Sequence, residues 1–159
     1  MELKYTVAAR ISRPIAEVFE AVVDPDKLSN YFTTGGAKGR METGATVMWD
    51  FHDYPGQFPV EIKEVIPNEK ILFEWEAHDA DGGEDGCGAG AGYMIHVSMK
   101  FSEIDDGART LIEISEHGWK ETKSGLKASY GNCEGWMQML CSLKAWIEHG
   151  VNLREGFYK

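Results

Sequence analysis

The sequence predicts an α+β fold: a curved antiparallel β-sheet of about six strands closed over a long C-terminal α-helix, with two short helices after the first strand. Three observations carry this. Between residues 4 and 119, segment after segment alternates apolar and polar side chains, the period of half-buried strands. Residues 128–149 change period, with Trp136, Met139, Leu140, Leu143, Trp146 and Ile147 on one helical face. A sheet with one apolar face must bury it, and this helix is the only element long enough to cover it.

In chain order, KYTVAARI (4–11) reads as the first strand. Ser12 and Pro14 then suit a helix start, and Ile15, Val18, Phe19 and Val22 share a helical face. Asp24-Pro25 breaks that helix, and Asp24 can cap a second short one, DPDKLSNYF. TGGAKGRMETGA (34–45) reads as a loop. ATVMWDFHD is a strand facing inward with Val47, Trp49 and Phe51. Tyr54-Pro55-Gly56 predicts a turn, and FPVEIKEVIP a strand with Phe58, Val60 and Ile62 inward. Pro67-Asn68 is a turn before KILFEWEAH, which alternates Ile71, Phe73, Trp75 and Ala77 against a polar face. Residues 79–92 are a Gly- and acid-rich connection. YMIHVSMKF and TLIEISEHGW form the last pair of strands around Asp105-Asp106-Gly107. Gly150 ends the long helix, and His149 suits its C-terminal dipole.

A chain of 159 residues fits a single domain spanning 1–159. It is large enough to bury a core without a metal or disulfide staple. The net charge of −10, with no Lys/Arg block, argues against nucleic acid and anionic membrane surfaces as partners. No apolar run reaches membrane-span length. Cys87, Cys133 and Cys141 are odd in number and scattered, which points to a reducing compartment and a cytoplasmic location.

Chemistry-bearing motifs are sparse. The five histidines make no metal-ligand spacing, and neither a metal nor a cofactor is expected. The acidic run from Asp79 has Gly90 where a calcium loop needs its bidentate Glu. GCGAGAG leads into a strand rather than a helix, against a phosphate loop. Cys133, read as lying near a helix N-terminus, would have a lowered pKa, but no histidine stands at helical spacing to activate it. An inward carboxylate is the best acid/base candidate, since desolvation would raise its pKa. Glu64 follows Phe58, Val60 and Ile62 in phase, and Glu116 follows Ile112 and Ile114. Beside Glu116, His117 would sit near a cavity mouth. Glu64, Glu116 and His117 are therefore the candidate catalytic residues.

Several stretches resemble a known superfamily, the helix-grip fold of START lipid-transfer domains and birch-pollen-allergen-like proteins (SRPBCC). They are ARISRPIAEVFEAVVDPDKLSNYF, GATVMWDF, VIPNEKILFEWE, the strand ending EHGW, and GWMQMLCSLKAWIEHG. Within it the chain is most similar to homologues of the activator of the heat-shock protein ATPase. Phe19 and the Tyr31-Phe32 pair stand where that family usually has tryptophans. The resemblance implies a cavity between sheet and helix for an apolar small molecule. Its walls here would be Trp49, Phe51, Phe58, Phe73, Trp75, Ile95, Val97, Ile112, Trp136, Met139, Leu140 and Leu143. Aromatic and Met side chains suit such walls by area and adaptability. Three functions follow from the resemblance, in this order: a binding protein for an apolar or amphipathic small molecule, a cyclase- or hydrolase-like enzyme using polar residues of the same cavity, and a co-chaperone-like regulator with a chaperone as partner. A monomer and a homodimer both fit the sequence.

Overall fold

The computed structural model describes residues 1–79 and 90–159, without the Pro55 side chain. Cys87 and most of the Gly-rich connection fall outside those residues. The element order is β1 (Leu3–Ile11), α1 (Ile15–Val23), α2 (Pro25–Leu28), β2 (Gly36–Lys38), β3 (Thr46–Phe51), β4 (Tyr54–Ile66), β5 (Lys70–Glu76), β6 (Met94–Ile104), β7 (Arg109–Trp119) and α3 (Lys123–His149). The strands form one antiparallel sheet in the order β1-β7-β6-β5-β4-β3-β2. α3 packs on β1 and β7, and α1 on β6 and β7.

Alternation puts one face of each strand under the helices. Ile71 and Phe73 of β5, Val97 and Met99 of β6, and Ile112 and Ile114 of β7 are all at most 2% exposed. Each such side chain contributes about 1.5–3 kcal/mol by leaving water. Trp136, Met139, Leu140 and Leu143 of α3 join the same core. The helical stripe is thus first of all the grip of helix on sheet.

Four local expectations change. β2 lies within the stretch read as a loop. It is a three-residue edge strand without apolar alternation, and Gly36 sits at φ 120°, a region only glycine enters easily. The turn after β3 falls at His52-Asp53, not at Tyr54-Pro55-Gly56, because Phe51 already pairs with Tyr54. Ser12 does not cap α1. Pro14 holds the cap position, and the Ser12 amide donates to Glu148 Oε1 at 2.7 Å, tying this corner to α3. Finally, α3 begins five residues earlier than predicted, at Lys123. The Thr122 hydroxyl accepts from the Gly125 amide at 3.0 Å, a cap concealed in a polar stretch.

The other end signals act as read. Asp24 accepts from the amides of Asp26 and Lys27, at 2.9 and 3.4 Å. Gly150 adopts φ 70° and closes α3 through its N–H to the Trp146 carbonyl at 2.7 Å. Asp105, Asp106 and Gly107 all take positive φ in the β6–β7 turn.

Candidate functional site

A cavity of about 740 Å³ opens between the first half of α3, strands β3–β5 and the segment after α3. Of the twelve expected wall residues, Phe51, Phe58, Trp75 and Trp136 line it. The other eight, Trp49, Phe73, Ile95, Val97, Ile112, Met139, Leu140 and Leu143, are at most 2% exposed and pack as core behind or beyond it. The reason is aromatic volume. Trp75 and Trp136 stack in parallel with centroids 5.4 Å apart and a 5° tilt. Phe32 stacks on Trp136 at 5.7 Å, and Trp49 meets Phe73 and Trp75 edge-on. This nest fills the middle of the sheet–helix space and leaves one end open.

Glu116 is fully buried, yet it is not on the cavity surface. Its carboxylate stands behind the lining. Oε1 accepts from the Tyr5 hydroxyl at 2.6 Å and from Trp119 Nε1 at 2.8 Å. Oε2 accepts from Trp136 Nε1 at 2.8 Å, and the Asn132 amide reaches both oxygens at 3.2–3.3 Å. Trp119, Asn132 and Trp136 all line the cavity, so one buried carboxylate fixes three wall residues from behind. Burial pushes the Glu116 carboxyl above its ordinary range, and the surrounding donors offset only part of that.

Glu64 and His117 lie elsewhere. A register shift between Ile62 and Glu64 in the β4–β5 ladder breaks the alternation. Glu64 then faces water and pairs with Lys70 Nζ at 2.7 Å. His117 alternates outward from Glu116, and its ring lies 5.2 Å from that of His96 on the outer face. Cys133 is the eleventh residue of α3 rather than near its start, and burial together with Glu116 pushes its thiol up, not down.

Sequence reasoning missed the polar end of the cavity. Arg154 and Asp53 both line it and form a buried ion pair, with side chains 9% and 2% exposed. Arg154 Nε donates to Asp53 Oδ2 and Nη2 to Oδ1, each at 3.0 Å. The guanidinium also covers the Phe51 ring, 4.4 Å from its centroid. This pairing straps the C-terminal segment to the β3–β4 turn, and Tyr158 and Lys159 complete the rim. No motif in NLREGFYK announces the role. Among the described residues, no group of three or more His, Cys, Asp or Glu side chains is placed to hold a metal ion, and no helix is long and apolar enough to cross a membrane.

A curved antiparallel sheet holding a long C-terminal helix, with an aromatic-walled cavity between them, defines a helix-grip protein. Within that class the chain belongs to the Activator of Hsp90 ATPase homolog 1-like protein family, whose model matches residues 12–148. No curated protein matches it. Among solved structures, the protein SSP2350 from Staphylococcus saprophyticus is similar at 25% identity and TM-score 0.73, over 96% of each chain. The Aha1 dimer from Colwellia psychrerythraea gives 20% identity and TM-score 0.68, over 93% of this chain and 98% of that one. DynU16, a protein in the dynemicin biosynthetic locus, gives 23% identity and TM-score 0.73, over 95% of this chain and 49% of DynU16. The last two likenesses are of fold alone.

Proposed function

We propose that the protein binds a small apolar or amphipathic molecule in the cavity between the sheet and α3. The carrying observation is the cavity itself: about 740 Å³, walled by the rings of Phe51, Phe58, Trp75 and Trp136, with Asp53, Asn132, Glu134 and Arg154 among the polar side chains of its lining. Ligand sites of that size, mainly apolar with a few placed polar groups, hold drug-sized molecules. The rings supply contact area, and the polar end orients an amphipathic ligand.

Native mass spectrometry of the purified protein, followed by denaturation and identification of what is released, tests this. The expected result is an apolar species near one per chain. Adding the released compound at a hundredfold excess over its Kd stabilises the fold by about 2.7 kcal/mol, or roughly 5–11 °C in Tm. A bare mass from several expression hosts, with no rise in Tm across a panel of amphipathic compounds, refutes the reading.

An enzymatic role is the second reading, with the buried Glu116 carboxylate acting from behind the lining by positioning Trp119, Asn132 and Trp136. It predicts turnover of the bound compound that falls in Glu116→Gln by a larger factor than the Kd rises. A co-chaperone role, suggested by the family's description, predicts capture of the chaperone by the ligand-free protein. The association named for the Colwellia protein, carried over to this chain, predicts a dimer mass in light scattering.

A further inference from the structure

We propose that Gly131 and Gly135 are the specificity-determining positions of the cavity, kept free of side chains so that a ring-bearing amphipathic ligand can lie against the α3 backbone. The proposal rests on the binding reading above and says which part of the wall selects the ligand.

α3 carries three glycines before its C-cap, and they are not alike. A methyl at Gly125 would collide with the Lys120 carbonyl oxygen, so packing explains that glycine. At Gly131 and Gly135 an added Cβ meets nothing within 4 Å, and neither residue has a positive φ. Neither close approach nor backbone conformation calls for glycine there. Glycine inside a helix is nevertheless destabilising relative to alanine. Both residues line the cavity, together with Ala128 of the same helical face. The opposite wall is aromatic: Phe58 of β4 and Trp75 of β5. At these two positions the helix offers bare backbone to the open volume, beside the side chains of Asn132 and Trp136, while the strands contribute rings to the same lining. That shape suits a molecule with a flat ring system, which stacks on rings and needs little room on the helix side. Larger residues at 131 and 135 would fill the space without disturbing the fold.

The consequence is a pair of effects with opposite signs. Gly131→Ala and Gly135→Ala should each raise Tm by roughly 2–4 °C through helix propensity. Each should also weaken binding. The probe is 8-anilinonaphthalene-1-sulfonate, an aromatic amphiphile, titrated calorimetrically and by energy transfer from tryptophan. Trp75, Trp119 and Trp136 line the cavity, so transfer reports bound probe, and its loss in variants of the cavity wall places the probe inside. The alanine variants are expected to bind severalfold more weakly, and Gly135→Leu at least about tenfold. Variants with a raised Tm and wild-type affinity overturn this inference and leave the binding reading intact. Alanine variants with a lowered Tm also overturn it, because the glycines would then serve the fold. A wild-type protein that takes up no probe overturns the inference together with the binding reading.

Discussion

Replacing Glu116 with Gln probes the contact that fixes the inner wall of the cavity. The two residues have nearly the same shape, so the change is chemical. A carboxylate offers two acceptor oxygens, and here both are used. Gln offers one. Its least costly placement keeps the oxygen where Oε1 was, serving Tyr5 and Trp119, and sets an amide nitrogen against Trp136 Nε1, a donor facing a donor. Trp136 is 2% exposed, so no water can take over the bond. A stranded buried donor costs about 1–3 kcal/mol. Removing a buried charge returns part of this, and a net loss of about 2 kcal/mol at neutral pH, roughly 4–8 °C in Tm, is expected. The pH dependence has a definite sign. Burial holds the folded carboxyl above its ordinary value of 4.5. The contribution of Glu116 to stability is therefore complete below that value and diminishes as pH rises through the folded pKa. Because Gln cannot titrate, the deficit of the variant should be largest in acid and should narrow towards neutrality. Urea denaturation of both proteins from pH 4 to pH 8, followed by tryptophan fluorescence, measures the difference with other groups cancelling. A variant at least as stable as wild type, or a gap that widens as pH rises, would refute the reasoning.

Three further predictions follow from other contacts. Arg154→Met leaves the Asp53 carboxylate buried and unpaired and should cost about 3–5 kcal/mol, whereas Asp53→Asn combined with Arg154→Met should recover part of it; denaturant midpoints of the single and double variants decide. Asp24→Ala removes an acceptor for two amides at the start of α2 and should cost about 1 kcal/mol, seen as a lower Tm with an unchanged cavity. Cys133 is half-buried with its thiol pushed up, and Cys141 is exposed, so iodoacetamide should modify Cys141 before Cys133; peptide mass spectrometry showing faster labelling at Cys133 would contradict the placement.

Aromatic content is what makes these contacts interdependent. Trp136 stacks on Trp75 and Phe32 while its indole N–H is spent on Glu116. Side chains that pack on both faces and bond at the edge have few other positions available, which makes the wall a pre-organised surface. The Arg154 strap differs: an ion pair and the rings beneath it hold its chain segment at the site.

Local pattern accounts for strands β1 and β3–β7, their inward faces and the gripping helix, because a period of two or 3.6 residues is written within a few neighbours. It also determined the stops at Asp24, Asp105–Gly107 and Gly150, where local backbone chemistry decides. The remaining features depend on contacts between distant residues. Glu64 and Glu116 have the same phase in the sequence, yet a bulge turns one to water and the ladder keeps the other inside. The Arg154–Asp53 pair joins residues 101 positions apart, and no local pattern encodes such a distance. Gly131 and Gly135 look like weak points in a helix until the opposite wall is in place. Whether twelve inward residues enclose space or fill it is a matter of volume: the Trp75–Trp136 stack closed the centre and left the cavity at one end.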